Sequence, residues 1–159
     1  MRECSSSGKR RKAARDLYTS LYEKNNLSIF LDLARSEQSH MDQVKAIMDQ
    51  YGLLTPEKDK KGVFWNQTLQ KIHDQLLAEG LQSEEDALKS AATFEEISII
   101  DLEKELSATE TEDVSIVYKG LLAGSKKHLR SYVADLKDLG IKYTPQYIEQ
   151  AKFEEIVRQ

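Results

Sequence analysis

Residues 28–51, SIFLDLARSEQSHMDQVKAIMDQY, decide the fold. Phe30, Leu33, Ala34, Met41, Val44, Ile47, Met48 and Tyr51 recur at helical spacing, which draws one apolar face along an amphipathic helix. Glu37 falls on the centre line of that face, and His40 lies beside it one turn along. Burying a carboxylate and an imidazole together costs free energy unless something compensates, and for this pair a bound metal is a common compensation.

Two other segments repeat the insertion. In the segment starting near Glu84, the stripe Leu88, Ala91, Glu95, Ile99, Leu102 and Leu106 carries Glu95 at its midpoint. Its neighbour Glu96 falls with Glu85, Lys89 and Glu103 on what reads as a solvated face. In the segment starting near Thr111, Val114, Val117, Tyr118, Leu121, Ser125, His128, Tyr132, Leu136 and Leu139 form a stripe that carries His128. Three helices therefore offer Glu37, His40, Glu95 and His128 to a shared interior, the pattern of a metal site in a helical bundle.

The rest of the chain supports an all-α reading. Its 159 residues fit one domain with a real core, and 31% charged residues with only two prolines suit a helical globular chain. A formal net charge of -4 argues against nucleic acid as the main partner. No apolar run approaches the roughly 18 residues needed to span a membrane. The basic N-terminus lacks a hydrophobic signal core, and a single cysteine, Cys4, fits a reducing compartment. A cytoplasmic protein is the resulting expectation, with homo-oligomerisation left open.

Punctuation divides the chain into helices. Residues 1–8 read as a short flexible segment, and residues 9–159 as one domain. A first helix is predicted from Lys9 to Lys24, ended by Asn25 and Asn26, and Ser28 is a plausible N-cap for the second. Gly52 to Trp65, with Pro56 and Gly62, reads as a crossover, followed by a short helix from Asn66 to Glu79. Ser83 with Asp86 announces the third long helix, which runs to Leu106. The fourth ends at Gly140, and Pro145 opens a terminal helix over 146–157 whose Tyr147, Ala151, Phe153 and Ile156 are expected to dock. The result is a ferritin-like four-helix bundle: two hairpins joined by a long crossover containing a short helix, plus a C-terminal helix.

The segments Lys12-Ala13-Ala14-Arg15-Asp16-Leu17-Tyr18, Ser36-Glu37-Gln38-Ser39-His40-Met41, Glu95-Glu96-Ile97, Gly124-Ser125-Lys126-Lys127-His128-Leu129-Arg130 and Tyr143-Thr144-Pro145-Gln146-Tyr147, in that order, resemble an uncharacterised prokaryotic ferritin-like family distantly similar to rubrerythrin and the erythrins. The resemblance implies a di-iron carboxylate site, with a Glu on each of two helices and a Glu-x-x-His on each of the other two. Glu37 and His40 match one such element, Glu95 matches a lone Glu, and His128 matches a fourth-helix His. The first-helix Glu position is Arg11, and the Glu three residues before His128 is Ser125. The resemblance thus implies an iron-binding protein, with one or two ions and oxidase or ferroxidase chemistry at a partly degenerate site. Manganese or zinc suits the same mixed donors.

Arg11 has two readings: a buried ion pair with Glu37, or a member of an exposed charge run with Lys9, Arg10 and Lys12. The first supports the alternative to metal binding, a metal-free bundle acting as an interaction or scaffold domain. His73 reads as a helix-edge residue, Tyr18, Tyr22, Tyr118 and Tyr132 as core packing, and Cys4 as having no role. No phosphate loop, zinc-type cysteine pair or nucleophile elbow occurs.

Overall fold

Asn26, in the left-handed region at φ 56°, reverses the chain between α1 (Arg2–Asn25) and α2 (Ser28–Gln50). Asparagine tolerates that conformation better than most residues, so a two-residue turn suffices to lay the helices side by side. The computed structural model describes residues 2–53 and 60–158, with side chains from residue 7 onward. Pro56, placed in the crossover by the sequence, lies outside the described residues.

After the crossover come α3 (Gln67–Gly80), α4 (Glu84–Ala108), α5 (Glu112–Asp138) and α6 (Gln150–Arg158). The Asn66 side chain caps α3 by accepting from the Thr68 and Leu69 amides, and Ser83 caps α4 by accepting from Asp86. The described residues contain no strand, and the architecture is the all-α bundle expected. α1 pairs with α2 and α4 with α5, while α3 packs on α1 and α4. Cross-helix bonds give the register: Arg10 meets Asp101 and Tyr18 meets Glu95, so α1 and α4 are antiparallel. Ser36 meets His128 and Gln50 meets Asp113, so α2 and α5 are antiparallel too.

Two apolar clusters fill the bundle. Tyr18, Phe30, Phe94 and Tyr132 meet at one level with ring centroids 5.5–6.5 Å apart, mainly edge-on. Val44, Met48, Leu102, Val114, Tyr118 and Leu121 form the other. Along α2 the buried residues run Phe30 and Ala34, then Glu37 and His40, then Val44 and Met48, so the polar pair falls between the two clusters. No helix among the described residues is long and apolar enough to cross a membrane.

The structure corrects several expectations. α1 begins at Arg2 rather than Lys9; Ser7 is buried, and a Cβ on Gly8 would lie 3.3 Å from Val44. Of the two readings of Arg11 the buried one holds, and Lys12 beside it in the basic run is buried too, while Lys9 and Arg10 are half-buried. Lys12 donates to Asp16 at 2.7 Å and to the Lys60 carbonyl at 3.0 Å, and its ammonium lies 4.6 Å from the Phe64 ring centre. Asp16 in turn accepts from the Gly62 amide, so the crossover is fastened to α1. Burial opposes ionisation of Asp16, yet Lys12, the Gly62 amide and Arg15 together hold its pKa below the usual value. His73 is buried edge-on against Phe64 rather than lying at a helix edge. At the C-terminus α6 starts at Gln150, and Phe153 and Ile156 dock as expected, whereas Tyr147 and Ala151 are exposed.

Glu96 is the largest departure. It is fully buried, not solvated, because α4 packs on α1, α3 and α5 and is also covered by the segment before α6. Its carboxylate accepts from Tyr143 Oη at 2.5 Å and from the amides of Gln146, Tyr147 and Ile148 at 3.0, 2.6 and 2.9 Å. With the charge offset by four fixed donors, burial of Glu96 carries no unmet acceptor. Burial and this carboxylate push the Tyr143 phenol far up.

Candidate metal centre

Because their positions recur every three or four residues on stripes that point inward, Glu37, Glu95 and His128 converge from α2, α4 and α5. All three are buried, and one ligand atom from each lies within 4.8 Å of the others. The His128 Nδ1–H is shared between Glu37 Oε1 and Glu95 Oε1, each at 3.0 Å. Its Nε2 meets the Ser36 hydroxyl at 2.9 Å, which fixes the ring orientation, as outer partners of ligand histidines commonly do. Tyr18 donates to Glu95 Oε1 at 2.6 Å. His40 stands outside the three-residue group, with Nδ1 3.3 Å from Glu37 Oε1 and its ring 5.6 Å from that of His128.

Arg11 enters from α1. It is fully buried, and its Nη1 donates to Glu37 Oε2 at 3.2 Å and to Ser125 Oγ at 2.9 Å. The two positions where the sequence departs from the expected carboxylate pattern therefore bond to each other. A permanent cation and a neutral hydroxyl stand where two further carboxylates were expected.

The electrostatics follow. Burial favours neutral Glu37, but Arg11 and the two imidazoles outweigh it and hold its pKa far below the usual carboxylate range. Burial alone would depress His128; Glu95 and Glu37 reverse that and push it up to about 9. At neutral pH the Glu37 carboxylate thus faces a guanidinium and an imidazolium. The Tyr18 and Tyr132 phenols are driven well above their ordinary value by burial and by Glu95.

The satisfaction of this polar layer is incomplete. Glu95 Oε2, Arg11 Nε and Nη2, and the Tyr132 hydroxyl are buried without a hydrogen-bond partner. Native interiors leave few such groups, so each one asks for a ligand, an ion or a water. The sequence signal that finds Glu37, Glu95 and His128 is their place on apolar stripes. Nothing in helical periodicity identifies Tyr18 or Ser36 as their partners.

Residues 7–159 match the family described as "Uncharacterized protein domain (DUF2202)". An uncharacterized protein of Methanocaldococcus jannaschii, MJ0754, is 45% identical over 147 residues, which cover 92% of this chain and 80% of that one. The crystal structure of a hypothetical protein from the same organism superposes with a TM-score of 0.96 at 41% identity, covering 99% of this chain and 91% of the other.

Proposed function

Since this chain belongs to the DUF2202 family, a grouping defined by its domain and not by an activity, we propose a function from the buried centre itself: a helical bundle that binds one transition-metal ion between Glu37, Glu95 and His128. The observation that carries this reading is the convergence of three ligand atoms within 4.8 Å, one of whose carboxylates, Glu95, keeps an oxygen with no partner. Mixed carboxylate and imidazole donors suit iron or manganese and also accept zinc. His128 would ligate through Nδ1, Glu37 and Glu95 through their carboxylates, with Ser36 and Tyr18 holding the ligands in place.

Arg11 limits the centre to a single ion. Its guanidinium already bonds Glu37 and repels a second cation, and Ser125 supplies no charge to offset one. Bound iron would supply one-electron chemistry toward dioxygen or peroxide, which is how the ferritin-like resemblance extends to oxidase or ferroxidase activity. This chain's own contribution is a set of buried, oriented ligands and a cation beside Glu37.

A second reading is favoured by a specific observation. Arg11 and protonated His128 balance Glu37 and Glu95 with no metal at all, which suits a scaffold or interaction domain. Elemental analysis separates the two. Protein purified without chelator or metal-affinity resin and supplied with Fe(II), Mn(II) or Zn(II) should carry close to one ion per chain, and Glu95→Ala and His128→Ala should lose it. Wild-type protein that stays metal-free under these conditions leaves the charge-balanced bundle as the function-bearing state.

A further inference from the structure

The centre is closed on most sides. Arg11 and Tyr18 meet it from α1, and Ala14 on α1 and Ala91, Ile99 and Leu102 on α4 are, like them, buried to 0% exposure. The two apolar clusters seal the bundle above and below. Glu37 and Glu95 are 0% exposed and His128 is 2% exposed, whereas His40 reaches 9%. Ser36 and Gly124, on the same α2–α5 seam, are also partly exposed.

Gly124 explains how an imidazole fits there. A Cβ at residue 124 would fall 2.6 Å from His40 Cε1 and 2.8 Å from His40 Nε2, closer than real Cβ contacts allow. The bare backbone of α5 thus leaves the volume that the ring occupies. From that position His40 Nδ1 is 3.3 Å from Glu37 Oε1, the same oxygen that meets His128. An ion held by His40 and Glu37 would already possess one ligand of the buried set.

We infer that His40, seated against Gly124 on the α2–α5 seam, is a relay through which a divalent transition-metal ion reaches and leaves the Glu37–Glu95–His128 centre. The inference rests on the metal-binding reading above. Its physical basis is that a hydrated cation must shed water to enter a dry core, and doing so without a substitute donor is expensive. The imidazole supplies that donor at the solvent boundary, and Glu37 takes over behind it. A relay lowers the barrier in both directions and leaves the equilibrium alone, which distinguishes it from a permanent ligand.

The experiment uses metal-depleted full chain mixed with Co(II), with uptake followed by visible d–d absorption and release followed after adding excess chelator. His40→Ala and His40→Leu should slow uptake and release by the same factor, with wild-type stoichiometry and Kd. Gly124→Ala, which displaces the ring, should slow both as well, and free imidazole should restore the rate of His40→Ala. Circular-dichroism melts of the metal-free variants check that each is folded. Wild-type rates in all three variants would overturn the inference. So would faster uptake in His40→Ala with slower uptake in His40→Leu, since that describes a plug. Loss of bound Co(II) at equilibrium would make His40 a permanent ligand instead. Wild-type protein that takes up no Co(II) fails the metal centre itself, a result seen before any His40 variant is read.

Discussion

Glu95 and Glu96 are neighbours in sequence, both fully buried, and the protein treats them oppositely. Every acceptor position of Glu96 is met by groups that cannot move far: three consecutive backbone amides and the Tyr143 hydroxyl. Glu95 has one oxygen bonded to Tyr18 and His128 and the other bonded to nothing. A carboxylate that serves as a joint is saturated. A carboxylate with spare acceptor capacity, held among titratable partners, is positioned to bind something else.

The widest separation between the two should appear on truncation. Glu96→Ala leaves one hydroxyl and three amides without their acceptor, and at ~1–3 kcal/mol per orphaned group a loss of about 4–5 kcal/mol is expected even after partial rehydration. The segment 141–149 should then become sensitive to limited proteolysis. Glu95→Ala is expected to cost clearly less in urea unfolding of metal-free protein, because it also removes a half-satisfied charge. Equal losses would mean that Glu95 is as structural as its neighbour.

Arg11→Met sharpens the comparison from the cation side. Removing one partner of a buried pair typically costs about 3–5 kcal/mol, and the low end is expected here because His40 and His128 still face Glu37. The same change should raise metal affinity, since it deletes a repelling charge. Arg11→Glu should go further and raise the ion count per chain, read by elemental analysis. A metal-binding loss in Arg11→Met would show that the guanidinium organises the ligands instead of opposing the ion.

The smallest expected effect is the pH response of metal-free protein. The folded pKa of His128, about 9, lies above its unfolded value of about 6.5. Its stabilisation is therefore fully present below pH 6.5 and lost as pH rises through 9, about 3 kcal/mol in all. Glu37, whose folded pKa is depressed, contributes above the ordinary carboxylate range and is lost on acidification. Stability measured by denaturant midpoint should peak between these limits, and His128→Gln should remove the alkaline decline. Metal binding must displace the His128 proton, so affinity should climb by about tenfold per pH unit up to pH 9.

The same pair explains what the sequence made legible. A helix buried along one stripe reveals its inward residues through period 3.6, and Glu37, Glu95 and His128 were readable in that way. α4 is buried nearly all round, with Ser90, Ala91, Ala92, Thr93, Phe94, Glu95 and Glu96 consecutive in the interior. On such a helix a stripe assigns the wrong residues to solvent, and Glu96 was misplaced for that reason. The small residues at 90–93 are the available sign of close packing on several sides. Lys12 misled in another way: charge runs are usually solvated, and Lys12 is buried because it has partners far along the chain, while of the two readings of Arg11 the buried pair with Glu37 is the one observed.

The Lys12–Asp16 fastening has a consequence for how such chains can diverge. Lys12 follows Arg11 directly, and its tether to the Lys60 and Val63 carbonyls, with that of Asp16 to the Gly62 amide, sets how far α1 slides along the bundle. The anchor lies at the downstream end of the crossover. Insertions or deletions upstream of Lys60 are therefore decoupled from the axial height of Arg11, while a change inside 60–63 shifts the guanidinium against Glu37. Length variation in the connection and charge tuning of the core are in this way separate degrees of freedom, and the few residues of the fastening mark the border between them.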